Sequence, residues 1–227
     1  MKTYKYQMHT HTVPCSACAR MTPEELVNAL NDGGYSGCVI TNHFLNSNTG
    51  IDRNLPWNDF VKYFEQDYIE CKNAAKQYDL DVIFGIEEKM FDGLEILCYG
   101  ITPQFLYDNP QLANHELQMW YDAIKEYGGL VIQAHPFRYR PTYIPNPRVL
   151  PREYIDGIEV YNYCNKPEEN LKAEEFAANN TGLILLSGAD THTTDIVCCA
   201  GIETQTRITD EKELVKVLKS GEYNLIR

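Results

Sequence analysis

Cations are scarce in this chain. Twenty Lys and Arg face 32 Asp and Glu, for a formal net charge of −12 at pH 7. A phosphate backbone is gripped by clustered Lys and Arg, so this balance argues against a nucleic-acid polymer as partner. It leaves room for a small phosphorylated substrate, because metals and arginines inside a site set the local field. Long apolar runs are missing too, and none could span a bilayer. Met1–Gln7 has no apolar core of signal-peptide length, which predicts a mature N-terminus, a cytoplasmic protein and mostly reduced thiols for its eight cysteines. No linker, low-complexity tract or repeat divides the chain, so residues 1–227 are expected to form one domain. With 44% hydrophobic residues it can bury a sizeable core.

Histidine is also rare, with six in the chain. All but His115 stand at the ends of apolar runs. His9 and His11 close the run Tyr4–Met8, and on a strand residues i and i+2 point to one side. His43 follows the run ending at Ile40, and Glu87 the run Ile83–Ile86. His135 follows Val131–Ala134, and Asp190 and His192 follow Leu185–Leu186. A single histidine at a strand end is ordinarily a hydrogen-bonded surface residue, and His43 or His192 alone would be read so. Random placement does not produce the whole set. His115 falls within a helix expected from Asn109 to Tyr127 and reads as solvated.

Thr22-Pro23-Glu24-Glu25 starts a helix reaching about Asn31, with Thr as cap and Glu three residues on. A second helix, Trp57–Tyr78, carries a stripe of Phe60, Phe64, Tyr68, Cys71, Ala75 and Tyr78 that reads as core. Helices are expected also at Glu168–Asn179 and Asp210–Lys219. Between them lie continuous apolar strands, which predict a parallel sheet with helices on its outer face. Ligands from five strand ends converge more easily in a closed barrel than along an open sheet. The fold expected is α/β, a distorted (β/α)7 TIM-like barrel with a metal site at the C-terminal strand ends.

His9, His11, His43, Glu87, His135, Asp190 and His192 form the expected site. Mixed imidazole and carboxylate donors suit zinc, manganese or iron. They exceed what one ion needs and imply two or three divalent transition-metal ions, a carboxylate bridging a pair. Such sites perform in-line displacement at phosphorus, one ion supplying hydroxide and the others neutralising the attacked and leaving oxygens. Arg138 lies three residues past His135, in a loop from Pro136 to Pro151 that is long for a compact domain. Its guanidinium is expected to clamp phosphate oxygens. Arg20, before the first helix, could reach the same rim, with a surface salt bridge as its plainer role. Glu159 and Asn162 read as support behind the ligands. Cys15-Ser16-Ala17-Cys18 lacks the second pair of a structural zinc site, so two loop thiols are the plain reading. Its place just after the histidine pair keeps a ligand or redox role in view.

In order, H-x-H (His9, His11), T-N-H (His43), G-x-E (Glu87), H-P (His135) and D-x-H (Asp190, His192) resemble the PHP (polymerase and histidinol phosphatase) domain family over most of the chain. The resemblance implies a distorted seven-stranded barrel, a trinuclear metal site and a phosphoesterase acting on a small phosphate ester, a phosphomonoester first. It implies a first ion on His9, His11, Glu87 and Asp190, a second shared by Glu87 and His135, and a third on His43 and His192. Glu87, Asp190 and Arg138 are then the expected catalytic groups. The chain departs from the family pattern at Asn42, where the family has Asp, and in the Cys15–Cys18 loop, which the family makes acidic. Glu95 stands where some members carry a second-site histidine. Two other readings remain. An amidohydrolase-like C–N hydrolase lacks an obvious strand-end lysine for carboxylation. A non-enzymatic metal-binding or regulatory module fits less well with two complete metal sites.

Overall fold

Residues 2–227 are described by a computed structural model. The strands are β1 (Tyr4–Thr10), β2 (Gly37–Ile40), β3 (Asp81–Lys89), β4 (Glu95–Tyr99), β5 (Leu130–Gln133), β6 (Gly157–Asn162), β7 (Ile184–Gly188), β8 (Gly201–Thr204) and β9 (Tyr223–Ile226). The helices are α1 (Pro23–Asp32), α2 (Trp57–Ala75), α3 (Pro103–Asp108), α4 (Leu117–Tyr127), α5 (Pro167–Asn179) and α6 (Glu211–Ser220). One sheet runs in the order β7-β6-β5-β4-β3-β2-β1-β8-β9.

Local sequence explains most of these elements. At the start of α1 the Thr22 hydroxyl accepts from Glu25 N at 3.2 Å, and the Glu25 carboxylate accepts from Thr22 N at 2.8 Å. This reciprocal pair satisfies two amides that a bare helix end leaves open. The stripe on α2 is buried from Phe60 to Ala75. The helix expected over Asn109–Tyr127 is broken. A 3-10 turn, Pro110–Asn114, ends at His115 in the left-handed region, and α4 begins afresh at Leu117. His115 is therefore not a solvated helix residue, and its Nε2 meets the Lys89 carbonyl.

β1, β2 and β3 are parallel, as are β5, β6 and β7. β4 is antiparallel to both neighbours, so the expected all-parallel sheet is corrected there. Residues 90–94 alone join β3 to β4, too few for a crossover helix, and the chain must turn back. Glu95 consequently opens β4 opposite Lys89, at the end of β3 where Glu87 lies. The ring closes between β1 and the segment after β7. Thr191 N donates to His9 O at 3.1 Å, and His11 N to Thr191 O at 3.0 Å. At the other end β8 and β9 fill the wedge between β1 and β7, where Tyr223 donates to Leu185 O at 2.9 Å. The result is a distorted seven-stranded barrel with two added antiparallel strands. Its interior packs Tyr6, Met8, Val39, Ile83, Leu97 and Ile132. Under the helices Phe44 meets Phe60, Phe64 and Trp120 edge-on. No described helix is long and apolar enough to cross a membrane.

Candidate metal centre

A slip in β1 aims the first histidines. Its register against β2 shifts between Gln7 and Thr10. A bulge resets which side chains face which way. Tyr6 and Met8 pack in the barrel interior, and beyond the slip His9 and His11 face that interior too. Gln7 holds the slip. Its Oε1 accepts from Met8 N at 2.9 Å, His9 N at 3.2 Å and Ala189 N at 3.0 Å.

Glu87 is the hub. Its Oε1 lies 3.2 Å from both His9 Nε2 and His135 Nε2, and its Oε2 lies 3.4 Å from His11 Nε2 and 2.9 Å from His43 Nδ1. Asp190 Oδ1 is 3.1 Å from His11 Nε2 and 3.5 Å from His9 Nε2. Glu95 Oε2 approaches His135 Nε2 at 3.5 Å. His9, His11, Glu87 and Asp190 bring their ligand atoms within 4.8 Å of one another, as do His43, Glu87 and Glu95, and His11, His43 and His192. The expected ligands thus converge at the strand ends, Glu95 included. His135 and Asp190 hold positive φ, 27° and 54°, a region costly for residues with a Cβ.

The tautomers can be read from the partners. His9 Nδ1 faces Glu159 Oε1 at 2.9 Å, and His192 Nδ1 faces the Asp190 carbonyl at 2.8 Å. Those oxygens only accept, so each Nδ1 carries a proton, and each Nε2 offers a lone pair once the ring is neutral, as it is on a bound cation. His9 Nε2, His11 Nε2, His43 Nδ1 and Glu87 Oε2 are buried without a hydrogen-bond partner among the described residues. Buried polar atoms are rarely left so. Lone pairs facing lone pairs across about 3 Å fit an intervening cation, and imidazole with carboxylate fits a divalent transition metal.

Without a cation, the clustered carboxylates draw protons onto neighbouring rings. Against their burial, Glu159, Glu87 and Asp190 raise His9, while burial and then His43 and His192 depress His11. Burial, then Glu87, pushes the Glu95 carboxyl up to about 8. Against burial, Arg138 and then His9 hold Asp190 well below the usual range. Burial raises the Cys18 thiol, but hydrogen bonding from His192 and His43 outweighs it and brings it down to about 6.

Support comes from behind. Glu159 Oε2 accepts from His135 N and from Asn162 Nδ2, both at 2.9 Å. Asn42 does not face the ligands. Its Oδ1 accepts from Thr12 N and the Ser16 hydroxyl, and its Nδ2 donates to Thr12 Oγ1. Asp67 on α2 takes Thr12 Oγ1 at 3.0 Å and Cys15 N at 3.1 Å. Sequence reading missed Asp67, whose signal was one carboxylate inside an apolar helix stripe. Glu88 turns away from the site, fully buried, and burial pushes its carboxyl up to about 8.

The cleft beside the ligands holds about 480 Å³ and is lined also by Arg53, Lys89, Tyr143 and Arg138. Arg138 reaches it largely committed. Nη1 donates to Asp190 Oδ2 at 2.5 Å, Nη2 to Asn162 at 2.7 Å and Nε to Asn165 at 2.8 Å. Arg20 is exposed, does not line the cleft, and meets His192 only through its backbone N–H. Arg53 and Lys89 were not foreseen.

No protein-family model matches the chain, and no curated protein matches it in sequence. Solved structures do resemble it. A two-domain protein from Bacteroides vulgatus, containing a predicted PHP-like metal-dependent phosphoesterase, superposes with a TM-score of 0.73 at 15% identity. The match covers 99% of this chain and 64% of that one, so this chain spans less than two thirds of it. A putative metal-dependent phosphoesterase from Bifidobacterium adolescentis gives 0.57 at 17% identity, over 94% of this chain and 95% of that one. Endonuclease Q from Pyrococcus furiosus gives 0.65 at 12% identity, over 99% and 58%. The fold is therefore that of the PHP-like structures. Endonuclease Q has also been seen with a 27-mer duplex whose abasic lesion lies at its active site. That overturns the expectation that a nucleic-acid polymer is no partner for this barrel. Net charge sums the whole surface, whereas a cleft carries its own field.

Proposed function

We propose that the chain is a metal-dependent phosphoesterase of PHP type that hydrolyses small phosphomonoesters at the barrel mouth. One observation carries this. Four buried imidazoles converge on Glu87, and the facing nitrogens of three of them, His9, His11 and His43, have no hydrogen-bond partner among the described residues. His9, His11, Glu87 and Asp190 would hold one ion, and Glu87, His135 and Glu95 a second. His43 and His192 would hold a third. Divalent cations bound there supply Lewis acidity toward phosphoryl oxygens and acidify water at neutral pH.

The chain's own groups do the rest. Glu159 fixes the His9 ring and the His135 backbone, which keeps both lone pairs aimed. Arg138 pins Asp190. Arg53 and Lys89 put positive charge beside the cleft, which favours an anionic substrate. A space of about 480 Å³ suits a small molecule. A phosphodiester in a duplex is the second reading, favoured by the shared fold with Endonuclease Q. For C–N hydrolysis, Glu87 already fills the bridging place that a carboxylated lysine would take.

Elemental analysis, followed by assays on phosphomonoesters, an abasic-site duplex and amides with manganese, zinc or iron, tests this. The expected result is about two or more ions per chain and turnover of the monoesters. Glu87→Gln should lose ions from both its sites and lower turnover roughly a hundred-fold or more. Hydrolysis of amides alone, or normal metal content in Glu87→Gln, would overturn the proposal.

A further inference from the structure

Cys18 sits where the cluster runs short of anionic donors. His11, His43 and His192 gather with no carboxylate in that group, and the Glu87 carboxylate reaches it at His43 Nδ1, 2.9 Å from Glu87 Oε2. Cys18 Sγ is 3.0 Å from His192 Nε2, the nitrogen that would bind a cation in the neutral ring, because Nδ1 donates to the Asp190 carbonyl. Cys18 lines the same cleft as His43 and His192. Its C-x-x-C companion goes elsewhere. Cys15 is fully buried, with Sγ 3.2 Å from the Phe64 carbonyl. The two thiols therefore serve neither one zinc finger nor one disulfide.

We propose that Cys18 is a thiolate ligand, with His43 and His192, of one ion in the cluster. This rests on the metal-centre reading above. Ligands of one tetrahedral zinc, at about 2.3 Å for sulfur and 2.1 Å for nitrogen, stand roughly 3.6 Å apart, within a small rotation of the Cys18 side chain. Binding exchanges the thiol proton for the cation and releases that proton to solvent. The donors come from the loop after β1, the end of β2 and the segment after β7, so no sequence spacing displays them as a set. Sulfur makes this position softer than its neighbours. It should prefer zinc or cobalt over manganese, while the positions built from nitrogen and oxygen discriminate less.

Cobalt(II) titration of the metal-free protein tests the assignment. Sulfur-to-cobalt charge-transfer absorption in the near ultraviolet is expected. Cys18→Ser should abolish it and bind about one ion fewer per chain, keeping the others. Cys164→Ser, the neighbouring thiol with Sγ 3.6 Å from Asp190 O, should leave the band intact. A band that persists in Cys18→Ser would overturn the proposal. So would equal cobalt uptake by both proteins without any band. Failure of the unaltered protein to bind cobalt at all would overturn this assignment and the metal-centre reading together.

Discussion

Arg138 stands at the cleft with its guanidinium already hydrogen-bonded to protein partners. Its position past His135 puts it at the cleft, as the sequence suggests. Its guanidinium is spent on Asp190, Asn162 and Asn165. Asp190 is held at φ 54°, and the Arg138 contact keeps its carboxylate ionised and aimed. Arg138→Ala should therefore weaken metal binding at the Asp190 site by about 10- to 100-fold, and activity with it. Arg138→Lys should recover part, since a point charge cannot hold three partners in a fork. Chelator competition beside steady-state kinetics separates the cases. Unchanged metal affinity with a raised KM for phosphate esters would restore the phosphate clamp instead. The candidate ligands were legible because all but Glu95, which opens β4, follow an apolar run. The Arg138–Asp190 pair, 52 residues apart, was not, because nothing local encodes it.

At the level of elements, three strands meet because one residue has no side chain. A Cβ on Gly188, at the end of β7, would lie 2.4 Å from Glu159 Oε1 on β6 and 2.7 Å from His9 Cβ on β1. Neither neighbour can yield without breaking the 2.9 Å contact that orients the His9 ring. Gly188→Ala should cost about 1–3 kcal/mol of stability and also lower metal affinity. Urea unfolding and chelator competition on one preparation test both. Lost stability with unaltered metal affinity would sink the link from β7 to the His9 tautomer. The strands were readable from apolar runs and the α1 start from Thr22 to Glu25. Strand direction was not, since an apolar run reads the same either way. The short 90–94 connection was the sign that β4 must turn back. The slip at Gln7 left no mark in the pattern, because Met8 and His9 both suit a buried strand end.

For the whole molecule, the candidate ligands draw together residues from most of the barrel's strands at one end. His9 comes from β1 and His11 from just past it, His43 from beyond β2, Glu87 from β3 and Glu95 from β4. His135 follows β5, and Asp190 and His192 follow β7. Without cations this end confines unpartnered donors and carboxylates in a buried space. Cations bind that arrangement far better than the unfolded chain, so they should raise stability by mass action. At a hundred times Kd, one ion contributes about 2.7 kcal/mol. In a chain of this size each kcal/mol moves Tm by about 2–4 °C, so one ion should raise it by roughly 5–10 °C. Thermal unfolding in excess chelator, then with manganese or zinc restored, checks this. Glu87→Gln should lose most of the shift, because its carboxylate faces four of the imidazoles. Cys18→Ser should keep most of the manganese shift yet lose part of the zinc shift, as thiolate selects the softer ion. Equal Tm with and without metal would mean that the barrel mouth is held by hydrogen bonds alone, and the converging lone pairs would then have no cation to explain them.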